Sequence, residues 1–221
     1  MTISDICLHC ITNLYTFNFI MWSQFKMYFD LGFEHIIALD AQDHIIFVVA
    51  LMAIYQLKDW RKILILVTAF TLGHSLTLAI SGLGYVTSNT TTVEILIAFS
   101  ILVTAIVNLG QKLPRTTPQP STQEALIRYG IAFCFGLIHG LGFARQFKSI
   151  SGGIGDLIFK LLAFNIGLEI GQIVIVLLIL LLSFLFTRQL QKKEHDWNML
   201  LSGAALGISL FLIFQRLAGA A

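Results

Sequence analysis

The sequence predicts an all-α protein: a polytopic transmembrane helical bundle of about six spans, with an N-terminal half-helix or interfacial helix. Three observations predict it. Hydrophobic residues make up 57% of the 221 and charged residues only 12%, against about 25% charged in soluble domains. Mean hydropathy is +0.83, and the apolar residues gather into long uncharged runs of the length a bilayer requires. All three prolines, Pro114, Pro118 and Pro120, fall in one loop and leave those runs unbroken.

Residues 1–23 read as an N-terminal extension, and residues 24–221 as one transmembrane domain. The extension is apolar from Ile6 to Trp22 but carries His9, Asn13 and Asn18. No Lys or Arg precedes it, so it lacks the n-region of a signal peptide, and it is expected to lie at the interface. Cys7 and Cys10 flank His9, a weak metal or redox signal. Trp22, Phe25, Tyr28 and Phe29 form an aromatic belt. The first span is expected over residues 40–57, roughly 27 Å of helix, with residues 27–39 as a half-helix or bent extension. The second to sixth follow at 62–83, 93–111, 125–144, 156–186 and 197–217. The fifth is longer than a bilayer needs, so a tilt or a break near residues 167–171 is expected. Cys134 sits in an apolar run as a packing residue. Gly136/Gly140, Gly167/Gly171 and Gly203/Gly207 are small-xxx-small pairs that let helices approach.

Alternate connections carry Lys58/Arg61/Lys62, Lys112/Arg115/Arg128 and Arg188/Lys192/Lys193, nine of the 14 Lys and Arg. That side is expected to be cytoplasmic, in an inner-membrane, multi-pass protein with both termini outside. The expected partners are the lipid bilayer and a metal ion. No nucleic-acid partner is expected, and homo-oligomerisation is left open.

Ionisable groups inside apolar spans are costly and mark function. The richest stretch is H-I-I-A-L-D-A-Q-D-H, residues 35–44, directly ahead of an apolar run. In a helix Asp40, Asp43 and His44 share one face, and His35 lies within reach if the chain bends. The second span carries T-A-F-T-L-G-H-S-L-T-L, with His74 between Thr71 and Thr77 and beside Ser75. The third carries Glu94 and Asn108. The fourth carries F-G-L-I-H-G-L-G-F-A around His139, and the fifth carries Asn165, Glu169 and Gln172 on one face. Imidazole with carboxylate suits a borderline divalent cation. His35, Asp40, Asp43, His44, His74 and His139 are therefore the expected metal ligands. Thr71, Ser75, Glu94, Asn165, Glu169 and Gln172 are expected along the pathway. Each has a plainer reading: an intramembrane histidine bonds a neighbouring helix, and Asp40, Asp43 or Glu94 caps a helix N-terminus.

These four motifs together resemble the HupE/UreJ family over about residues 25–217, and the first two are similar to the signature of nickel/cobalt permeases. The resemblance implies an inner-membrane protein of six to eight helices associated with nickel or cobalt uptake. It places essential residues at His35, Asp43, His44 and His139. The spacing here is H-x7-D-H, longer than the family's H-x5-D-H, with Asp40 inserted. The acid that follows H-G in the family is replaced by Leu141-Gly142.

The sequence therefore points to a divalent-metal permease rather than an enzyme, with Ni2+ or Co2+ as cargo and Zn2+ not separable by ligand type. Scarce thiols argue against a copper(I) path, and no Walker A motif is present. A membrane metalloenzyme, such as a zinc hydrolase or an iron oxygenase, is the second reading, though H-E-x-x-H and desaturase-type histidine boxes are absent. A non-transporting scaffold or metal-binding accessory protein is the third.

Overall fold

The computed structural model describes residues 3–38, 42–86, 89–111, 122–151 and 156–219. Among them are seven α-helices and no strand: α1 (Ile3–Ile37), α2 (Gln42–Met52), α3 (Trp60–Gly82), α4 (Thr90–Leu109), α5 (Thr122–Ser151), α6 (Leu157–Phe184) and α7 (Glu194–Ala218). Five helical stretches are long and apolar enough to cross a membrane: Leu57–Gly82, Thr90–Leu109, Ala125–Ile150, Leu157–Gln189 and Glu194–Ala218. A sixth arises if Asn18–Ile37 and Gln42–Met52, bent by 67°, count as one broken span.

The first span differs from the expected helix over 40–57. Helix α2 has only 11 residues, about half a bilayer at 1.5 Å per residue. The other half is α1, which runs without interruption through residues 27–37. Met52 ends α2 because the chain turns into Gln56 and a 3-10 turn, Leu57–Asp59. Ala50 O accepts a long bond from Ala53 N–H at 3.3 Å, and Asn108 of α4 adds a shorter one, donating Nδ2–H to the same oxygen at 2.6 Å. Asn198 of α7 donates to Asn108 O at 2.7 Å, and Ser202 donates to Asn198 Oδ1 at 2.8 Å. A buried polar clamp thus joins α2, α4 and α7.

Two close helix pairs frame the rest. A Cβ on Gly32 would overlap Phe164 O, and one on Gly167 would overlap Phe29 O, so α1 and α6 touch through backbone. Gly73 stands likewise against Phe133 O, and Gly136 against Phe70 O, between α3 and α5. Helix α6 therefore does not break at residues 167–171; it uses those glycines to seat α1. Its irregularity comes later, in a π-helical turn at Leu185–Gln189. Gly203 and Gly207 meet nothing within 4 Å, so the third pair seats no helix of this chain. Cys134 is exposed rather than packed.

One end of the bundle gathers the ends of α3, α5 and α7 with the starts of α4 and α6. There Glu94 pairs with Arg216 at 3.2 Å, and Tyr28 donates to Ile150 O at 3.1 Å. The other end joins the start of α3 to that of α7 through Lys58 and Glu194 at 3.6 Å. Gly136→Ala is expected to lower the thermal midpoint in detergent, at a cost on the order of 1–3 kcal/mol. Gly203→Ala should leave it unchanged. Equal midpoints for the two variants would contradict this packing.

Candidate metal centre

Four helices bring four histidines together. His35 stands in the last turn of α1 and His44 in the first turn of α2, facing each other across the break. His74 sits halfway along α3 and His139 halfway along α5. The His44 ring is the hub. Its centroid lies 4.6 Å from His35, 5.1 Å from His139 and 6.2 Å from His74, and His35 lies 5.8 Å from His74. His74 and His139 are 0% exposed and His44 5%. Gly140 permits the approach of α5, since a Cβ there would fall 2.7 Å from His74 O.

Aromatic rings wall the cluster. Phe143 is 4.0 Å from His35, Phe47 and Phe70 are 4.9 and 5.1 Å from His139, and Phe164 is 6.2 Å from His74. Such walls exclude water and offer no hydrogen bonds. Five buried imidazole nitrogens accordingly have no hydrogen-bond partner among the described residues: His35 Nε2, His44 Nε2, both nitrogens of His74, and His139 Nδ1.

Two neighbours fix which nitrogen carries the lone pair. Asp43 Oδ1 lies 2.9 Å from His44 Nδ1. A carboxylate only accepts, so Nδ1–H donates and the unpartnered Nε2 is the basic atom. Asp43 Oδ1 also accepts from the His44 backbone N–H at 2.9 Å, which locks the carboxylate in place. Ser100 of α4 donates its one hydroxyl proton to Ile97 O at 2.7 Å. It must therefore accept from His139 Nε2–H, 3.2 Å away, which leaves Nδ1 basic and unpartnered. As the rings stand, no group of three or more His, Cys, Asp or Glu among the described residues is arranged to hold an ion.

A cavity of about 610 Å³ reaches the cluster from the Glu94–Arg216 end. His35, Asp43 and His44 line it together with Glu34, Glu94 and Arg216; His74 and His139 lie outside its lining.

The other residues singled out in the sequence distribute as follows. Asp40 lies outside the described residues, as do the side chains of Cys7, His9 and Cys10. Thr71 donates to Gln172 Oε1 at 2.8 Å, buried between α3 and α6 one turn from His74. Glu169 is turned away from the histidines and accepts from the exposed Thr68 at 2.6 Å. Ser75 only donates back to Thr71 O at 2.6 Å within its own helix. Asn165 Oδ1 is buried and unpartnered. The sequence reading missed Ser100. Its signal was the i, i+4, i+8 polar stripe of Ser100, Thr104 and Asn108 in the third span.

A family model described as HupE / UreJ protein matches residues 12–216. Comparison with curated proteins and with solved structures returned no match. A multi-pass helical membrane protein whose matched segment holds all four clustered histidines belongs, over most of its length, to the HupE/UreJ family, which is associated with nickel and cobalt uptake.

Proposed function

We propose that this chain is a permease for a divalent transition-metal cation, nickel or cobalt, and that the four-histidine cluster is its selective passage. One observation carries the reading: four histidines with five buried, unpartnered ring nitrogens gather at the inner end of a cavity that opens to the bundle end, with His35 and His44 in its lining. Glu34 and Asp43 make the cavity attractive to a cation, while Glu94 is paired with Arg216 in the same lining. Broken helices whose ends meet in the bundle are a recurring way to build an ion site within a membrane.

The cation would meet His35 and His44 first, then His74 and His139. The hydrogen bond from His44 Nδ1–H to Asp43 and that from His139 Nε2–H to Ser100 each fix the tautomer and hold the ring's orientation, leaving the other nitrogen's lone pair for the metal. His74 makes no ring hydrogen bond among the described residues, so both its nitrogens stand uncommitted. Binding in partial sites lets an ion shed some water without being trapped. Thr71 and Gln172 continue the polar surface one turn toward the start of α3. Under the charge asymmetry of the connections, the cavity end faces outward and movement is inward.

His44→Ala and His74→Ala are each expected to abolish nickel and cobalt uptake into cells while leaving the protein in the membrane. Wild-type uptake by both would end the proposal. Ser100→Ala, which frees the His139 tautomer, is expected to weaken metal binding by about 10- to 100-fold and to lower the thermal midpoint of the metal-free protein, because His139 Nε2–H loses its acceptor. An unchanged affinity, measured by calorimetric titration, would remove Ser100 from the site.

A further inference from the structure

We infer that the end of the bundle opposite the histidine cavity holds a binding site for the phosphate of an anionic phospholipid. A second cavity of about 580 Å³ lies where the start of α3 meets the junction of α6 and α7. Lys58, Arg188 and Lys192 line it against a single carboxylate, Glu194. Glu194 is taken by Lys58 at 3.6 Å. Arg188 and Lys192 form no ion pair among the described residues, so the cavity has an excess of positive charge that nothing among those residues balances.

The backbone is shaped to put those two cations there. Arg188 sits in the π-helical turn that ends α6, an irregularity that recurs at functional sites. Lys192 follows Gln191, which holds φ 51, a left-handed conformation that is costly for a residue with a side chain. A neutral donor stands beside them. Gln56 Oε1 accepts from Ser183 at 3.2 Å, leaving the Gln56 amide N–H groups as donors. Guanidinium, ammonium and amide N–H donors together match the oxygens of a phosphate.

The remaining lining identifies the source of that phosphate. Leu57, Leu180 and Phe184 form an apolar wall, which free phosphate does not need and an acyl chain does. The depth also fits. Trp60, 51% exposed with the Arg61 guanidinium 5.2 Å from its ring, stands at the start of α3 as an interfacial tryptophan does at head-group level. Basic recesses between helices at this level take anionic head groups. The site is independent of what the histidines carry.

The test is native mass spectrometry of the full chain released from nanodiscs of equal phosphatidylglycerol and phosphatidylcholine. The wild type should retain phosphatidylglycerol on the order of tenfold over phosphatidylcholine. Arg188→Gln with Lys192→Gln should bring the two to parity, while Arg61→Gln, a cation outside the cavity, should leave the preference intact. Parity in the wild type would overturn the site, as would an unchanged preference in the double variant. A thermal midpoint raised as much by millimolar inorganic phosphate in lipid-free detergent as by phosphatidylglycerol would overturn the lipid assignment.

Discussion

Imidazole nitrogens buried in a low-dielectric interior without partners are the constraint on which the rest of this structure depends. An unsatisfied buried polar group costs about 1–3 kcal/mol. Five of them, at His35, His44, His74 and His139, together weigh as much as the net stability of a typical domain. Structural histidines in membrane helices avoid that cost by bonding across an interface. Here the surroundings are phenylalanine rings, and the hydrogen bonds made by Asp43 and Ser100 engage the N–H sides of two rings while leaving the lone pairs open. The arrangement suits a visiting electrophile better than it suits a packed core.

The bundle absorbs this cost through its backbone. Glycine contacts bring α1 against α6 and α3 against α5 with no side chain between them, which recovers dispersion energy where hydrophobic driving force is weak. Breaking the first span is the second device. It delivers His35 and His44 to each other at 4.6 Å, which a continuous helix does not do for residues nine apart. At its other end α2 stops at Met52, and the Asn108–Asn198–Ser202 clamp fastens that end to α4 and α7 through Ala50 O. The polar residues of α4 thus serve both ends of the short helix: Ser100 at the cluster, Asn108 at the turn.

Much of this was legible in the sequence. Apolar run length gave the helical membrane class and the later spans, and the cost of intramembrane charge singled out the four histidines. The helical periodicity that grouped Asn165, Glu169 and Gln172 was sound, but periodicity does not say which neighbour a face meets. Gln172 turns to Thr71 inside the bundle, whereas Glu169 turns to Thr68 at the surface. The bent half-helix expected ahead of the first span is present in α1, but α2 is shorter than the expected 40–57 because hydropathy averages over a window: an apolar run from Ile45 to Tyr55 looks the same whether it crosses the bilayer or stops halfway. No Gly or Pro marks the end at Met52. Gly167 and Gly171 drew attention for the same reason that they were misassigned, since a glycine that admits a helix and one that breaks a helix look identical in a single sequence. Ser100 escaped notice because serine in a membrane helix commonly satisfies itself against its own backbone, and its bond to Ile97 does so here.

The most direct measurement is anomalous scattering at the nickel edge from crystals of the purified chain exposed to nickel. The account predicts a peak about 2 Å from His44 Nε2 and within bonding distance of at least one of His35, His74 and His139. A peak held elsewhere, or none at the cluster in nickel-saturated protein, would contradict it.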